Sequence, residues 1–150
     1  MIARKVKGLH ELEICLGISR DTSLEFAIPE FSYSLKAARD SIWNLQRSHF
    51  FRVIEYNSEI IGWIAASVGQ PARYSDILAL QLDFYHCTLK GYSAVTALRV
   101  AHESLYLAAQ MTRGVTVAVT SPCPHTPLCF NRVLTKEGWK DYGHILVKIC

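Results

Sequence analysis

DILALQLDFYHCTLKGYSAVTALRVAHESLYLAAQM, residues 76–111, reads as a strand, a short loop with one glycine, and a long helix. Residues 77–85 are almost continuously apolar and show no helical stripe, the pattern of a strand buried on both faces. In the loop over residues 87–93, Gly91 is the one residue that takes positive φ cheaply. From Ser93 onward Val95, Leu98, Val100, Ala101, Leu105, Leu107 and Ala108 recur at spacings of three and four. That predicts a helix capped by Ser93, with Arg99 and Glu103 paired on its outer face. A strand that runs through a tight loop into a helix directs several backbone N–H groups at one spot. Such a spot attracts an anion, most often a phosphate.

On the C-terminal side, Arg113-Gly114 closes the helix and VTVAVT (115–120) is a β-branched strand with no polar face, hence internal to a sheet. Residues 121–127 hold three prolines and read as an irregular connection. LCFNRVLTKE (128–137) is a short helix stopped by Gly138, and residues 139–149 form a last strand or hairpin with a bend at Tyr142-Gly143-His144. On the N-terminal side, FFRVIEY (50–56) and EIIGWIAASV (59–68) are strands joined by Asn57-Ser58 as a hairpin. Before them, Leu35, Ala38, Ile42, Trp43 and Leu45 mark an amphipathic helix over residues 33–47. Residues 19–29 read as a loop, residues 10–18 as a helix, and residues 2–6 as a half-buried strand. The order β-α-α-β-β-β-α-β-α-β, with early hairpins and late βαβ units, predicts one α/β domain over residues 1–150, a mixed sheet with helices on both faces.

Composition agrees with a single domain of 150 residues that buries a sizeable core. Half the residues are hydrophobic and 19% are charged, which excludes long disordered segments. The net charge of +3 is mild, and without a dense Lys/Arg run nucleic acid is not indicated; Arg4-Lys5-Val6-Lys7 reads as a solvated strand end. The longest apolar run, residues 60–68, is about half of what a membrane span needs. No apolar signal core follows Met1, so a cytoplasmic protein is expected. Five cysteines without a Cys-x-x-Cys pair read as free thiols in a reducing compartment.

The order of elements and the joint at Gly91 resemble the GCN5-related N-acetyltransferases. Three pieces carry the resemblance. LQLDFYHCTLKGYSAVTAL looks like the family's fourth strand, pyrophosphate loop and following helix. Residues 114–121 look like the fifth strand, which splays from the fourth to admit the pantetheine arm. FNRVLTKEGWK ends in a Lys-Glu-Gly-Trp where the family commonly has Lys-x-Gly-Phe. The departures are specific. Against the loop motif, Thr88, Gly91 and Ser93 align, and of these the glycine alone fits well. Leu134 stands where the family often has the tyrosine that protonates the leaving thiolate. Pro127 stands where it has an asparagine, with Asn131 nearby. A similar arrangement occurs in acetyltransferase-like proteins of tailed phages, some of them virion components.

The resemblance implies a GCN5-related fold with a mostly antiparallel sheet, and transfer of acetyl from acetyl-CoA to an amine by direct attack. The acceptor would be shaped by the early helices of residues 10–47. Acetyl-CoA would lie along Leu82 and Phe84, with its pyrophosphate on the backbone N–H groups of Thr88, Leu89, Lys90, Gly91, Tyr92, Ser93 and Ala94, and with Asn131 close by. Lys90 would add a point charge. Such transfer needs a base, and the ionisable groups nearest the loop are Asp83 and His86. His86 titrates near neutrality if unperturbed, and an apolar strand around Asp83 would raise its pKa. Ser121 or Tyr142 would protonate the thiolate in place of the absent tyrosine. The rival expectation is a catalytically silent module of an assembly such as a virion, or a homo-oligomer, contacting partners through residues 24–31. Cys123, His125 and Cys129 lack both a fourth ligand and zinc spacing, so no metal is expected; a Cys–His nucleophile there is the weaker reading. Trp43, Trp63 and Trp139 fall on apolar faces and read as core.

Overall fold

The computed structural model describes all residues except 25–32, 48–49, 71–74, 121–127, 142–145 and 150. Asn57 and Ser58, both at positive φ (50° and 66°), turn β2 (Phe50–Tyr56) back onto β3 (Glu59–Gly69) as an antiparallel hairpin. β3 pairs antiparallel with β4 (Ala79–Cys87), which leads into α3 (Gly91–Met111) and returns as β5 (Val117–Thr120), parallel to β4. The short β1 (Ile2–Arg4) edges β2, and β7 (Leu146–Ile149) pairs with β5 and with β6 (Lys140–Asp141). The sheet order is β1-β2-β3-β4-β5-β7-β6. Every pairing except β4–β5 is antiparallel. The expected order holds, with residues 139–149 forming a pair of strands; the bend at 142–144 lies outside the described residues.

Period-two alternation divides the buried side chains between the sheet's faces. On one face Phe50, Ile54, Ile64, Ala66 and Leu80 pack under Ala97, Leu98, Ala101 and Leu105 of α3 and Leu134 of α4 (Leu128–Lys136). On the other, Phe51, Val53, Trp63 and Ala65 pack under Leu12, Cys15 and Leu16 of α1 (Leu9–Leu24) and Ile42 of α2 (Leu35–Gln46). Trp63 and Trp139 are core, as expected.

Four expectations are corrected. α1 does not stop at Ile18 but runs to Leu24, because Ser19 turns into the core and the Thr22 hydroxyl returns its proton to the Ile18 carbonyl at 2.8 Å. α3 starts at Gly91 with Lys90 as its N-cap, so Ser93 lies inside the first turn instead of capping it. Arg99 pairs with Glu137 beyond α4 and Glu103 with Lys148 of β7, not with each other. Arg4 is not a solvated strand end: its guanidinium holds Glu55 at 2.7 Å and Glu11 at 2.8 and 3.0 Å. That fork lowers the Glu11 carboxyl to about 2, and the Lys7 N–H at 2.7 Å adds to it.

Candidate functional site

β4 changes character halfway along. Ala79, Leu80 and Gln81 pair with Val117, Ala118 and Val119, and among the described residues the β4–β5 ladder ends there, although β4 runs on to Cys87. Beyond that point the strand is no longer buried on both faces, contrary to the reading from its apolar run: Asp83 and Phe84 are exposed. β4 is also bulged. Phe84 opposes Ala65 and Leu82 opposes Ala66, which leaves Asp83 as the extra residue. The two central strands therefore part where one of them bends, and Asp83 stands at that bend. From there to Thr88, five residues on, is roughly 16 Å of extended chain.

The far end of β4 is held by β3. Gly62 lies so close that a Cβ on it would stand 2.5 Å from the His86 carbonyl oxygen. The Ile61 carbonyl accepts from both the N–H (2.9 Å) and the hydroxyl (3.1 Å) of Thr88. Leu89 packs into the α3-side core. These two residues build the turn, and the Thr88 N–H is committed to it. The Ala94 N–H closes the first helical turn, and Gly91, Tyr92 and Ser93 are left as donors α3 does not use. Gly91 takes φ +62°, and nothing lies within 4 Å of where its Cβ would be. Tyr92 is 94% exposed and so has no packing role. Positive potential, unused donors and open space coincide at one place, which fits a diphosphate. Asn131, half-buried, sits on α4.

The two faces beside the parting differ. Toward α1, Phe51, Trp63 and His86 stack, with centroids 5.3 Å apart for the first pair and 4.7 Å for the second, and Phe84 leans on the stack 43% exposed. His86 Nδ1 lies 2.6 Å from the Thr22 hydroxyl. That hydroxyl gives its single proton to the Ile18 carbonyl, so Nδ1 donates and Nε2 carries the lone pair. Burial lowers His86 to about 4, in place of the titration near neutrality expected for it. Asp83 accepts from Ser67 at 3.1 Å and is open to solvent; the desolvating surroundings expected from the sequence are absent.

Toward α3, Leu82, Tyr85 and Cys87 project into the core side. His102, fully buried, donates from Nδ1 to the Leu98 carbonyl at 2.9 Å and accepts at Nε2 from Thr120, the last residue of β5, at 3.0 Å. Burial lowers it to about 4, so the ring is neutral. The Tyr85 ring lies 6.0 Å from His102 and Trp139 meets it edge-on at 5.7 Å. Leu134 is buried in the same core.

Ser121, Tyr142 and the Cys123–Cys129 segment with its His lie outside the described residues or their described side chains, as does the proposed contact patch 24–31. Among the described residues no three His, Cys, Asp or Glu side chains cluster to hold a metal ion, and no helix is long and apolar enough to cross a membrane. A cavity of about 450 Å³ opens elsewhere, between Met1, Ala3 of β1, Arg99 and Leu107 of α3, and Trp139. It touches neither Asp83 nor Gly91.

No family model and no curated protein matches the sequence. Solved structures do. The chain is similar to a ribosomal-protein-alanine N-acetyltransferase from Brucella melitensis at 15% identity and a TM-score of 0.72, over 100% of both chains. It is similar to an N-acetyltransferase from Staphylococcus aureus at 13% identity and a TM-score of 0.71, over 99% of this chain and 97% of that one. An aminoglycoside 6'-N-acetyltransferase from Enterococcus faecium matches at 12% identity and a TM-score of 0.67 over the same shares, 99% and 97%. The fold is thus that of the GCN5-related N-acetyltransferases. None of these neighbours supports the phage or virion reading.

Proposed function

We propose that this chain, built on the GCN5-related N-acetyltransferase fold, moves the acetyl group of acetyl-CoA to an amine by direct attack, with no covalent enzyme intermediate. The observation that carries the reading is the parting of β4 from β5 after Gln81, with the Asp83 bulge at its start and the open N-terminus of α3 at the far end of the same strand. An extended arm laid along Leu82 and Phe84 finds backbone groups that β5 no longer uses, and its pyrophosphate finds the N–H groups of Gly91, Tyr92 and Ser93. Lys90, exposed at the N-cap, adds positive charge at the helix start; Thr88 and Leu89 hold the turn, Ala94 follows it in the first turn of α3, and Asn131 would reach the cofactor from α4.

Attack requires an unprotonated amine. Asp83 stands at the bend, open to solvent, where its carboxylate orients the amine and passes its proton on to water. His86, pinned by Thr22 and lowered to about 4, accepts protons weakly at neutral pH and serves chiefly to hold the aromatic stack behind Phe84. The acceptor's remaining contacts fall to α1, α2 and the face of Phe84. The protein acts where acetyl-CoA is supplied, the cytoplasm.

The test is calorimetric titration of acetyl-CoA and CoA into the wild-type protein and Gly91→Glu. Micromolar binding to the wild type, lost in the variant while both unfold alike within about 1–2 kcal/mol, is the expected result, since an L-residue at that φ costs about that much. No heat at millimolar acetyl-CoA would retire the enzyme reading and leave the fold.

A further inference from the structure

The buried hydroxyl of Tyr85 has no nitrogen or oxygen partner among the described residues; the Cys87 thiol, a weak acceptor, lies beside it. An unmatched buried donor is costly and calls for an explanation. Its position supplies one. Tyr85 projects from β4 after the strand has left β5, Thr120 closes the last described residue of β5, and both reach His102 of α3. Tyr85, His102 and Thr120 thus floor the parting on its α3 side. The other two have no capacity to spare there: the His102 Nδ1 proton is committed to Leu98, its Nε2 lone pair to Thr120, and the Thr120 proton to His102. Leu134, aligned with the family's tyrosine, offers only carbon to the same core.

The geometry points to Tyr85 as the hydrogen-bond donor that holds the departing thiolate of CoA, delivered from β4 instead of α4. This rests on the acetyl-transfer reading above. In the step, the amine nitrogen bonds to the thioester carbonyl carbon, the carbon–sulfur bond breaks, and its electron pair goes to sulfur. The amine proton passes by way of Asp83 to water, and the thiolate accepts a hydrogen bond from Tyr85 and takes its own proton from solvent as it leaves. Tyr85 keeps its proton throughout. Burial, which raises the phenol, keeps it a donor over the whole working range.

The experiment needs no acceptor amine. CoA and its analogue with hydrogen in place of the thiol are titrated into the wild-type protein and Tyr85→Phe from pH 7 to 10, with the bound thiolate followed by its ultraviolet absorbance. In the wild type, bound CoA is expected to ionise about one pH unit lower than in Tyr85→Phe, and at pH 9 CoA should outbind the analogue roughly tenfold, a preference the variant loses. Because Tyr85→Phe removes an unmatched donor and keeps the ring, it should melt no lower than the wild type. Equal ionisation in the two proteins, or a variant destabilised as though a good hydrogen bond had gone, overturns the assignment while CoA binding stands. Absence of CoA binding by the wild type overturns both this assignment and the acetyl-transfer reading.

Discussion

Two glycines beside the C-terminal end of β4, Gly62 of β3 and Gly91 at the start of α3, illustrate how one residue type serves unrelated ends. At Gly62 the constraint is contact: a Cβ would stand 2.5 Å from the His86 carbonyl and 3.2 Å from the Cys87 Cα, both backbone atoms that cannot swing aside. Gly62→Ala must push β3 from β4, and it is expected to destabilise the protein by about 1–3 kcal/mol, the ordinary range of overpacking. Urea unfolding measures this, and an unchanged midpoint would show that the strands separate freely. At Gly91 the constraint is the opposite, φ +62° amid empty space. The sequence disclosed Gly91, because a lone glycine between strand and helix is a turn signal, but not the reason for Gly62, whose neighbour lies 24 positions away.

At the scale of elements, β4 contributes most. Its first three residues sit between β3 and β5, while its later residues pair only with β3 among those described. Amide hydrogen exchange should therefore be slow at Leu80 and faster at those N–H groups of residues 82–87 that point away from β3. Acetyl-CoA should slow the second set selectively. Uniform exchange along β4, unaltered by ligand, would contradict both the parting and its proposed occupant. Element order was legible because period-two and period-3.6 patterns are local. The parting was not, since a run such as Leu80-Gln81-Leu82 states that a strand exists without stating where its neighbour stops. Nor was the full length of α1, because Ser19 and Thr22 look like loop residues until Ser19 is seen buried and the Thr22 hydroxyl turned onto Ile18 of the helix and His86 of the sheet.

At the scale of the whole molecule, and among the described residues, two imidazoles on opposite faces of the sheet set the response to mild acid. His86 and His102 each stand at about 4 in the fold against 6.5 ordinarily, so the unfolded chain takes up protons the folded one refuses. Stability is then full above about pH 6.5 and declines as pH falls toward 4, with a slope approaching two protons per unfolding event. Glu11, lowered to about 2 by Arg4, acts in a lower window: its share is present above pH 4.5 and lost as pH falls through 2. Unfolding curves taken from pH 8 to 4 should show this fall, and a flat profile would mean that both rings ionise freely in place. The hydrophobic pattern did foretell two packed faces, yet not which histidines they would enclose, because His86 and His102 differ little in local sequence from exposed His10. The vacancy beside Gly91 has a consequence for heredity. Any L-residue there bears about 1–2 kcal/mol of backbone strain, so a library of all substitutions sorted by cellular abundance of the protein should thin, while under the proposed function the same library sorted by acetyl-CoA-dependent fitness should lose nearly all. The excess of the second loss over the first would then record the proposed ligand, over and above the backbone conformation that the fold itself demands there.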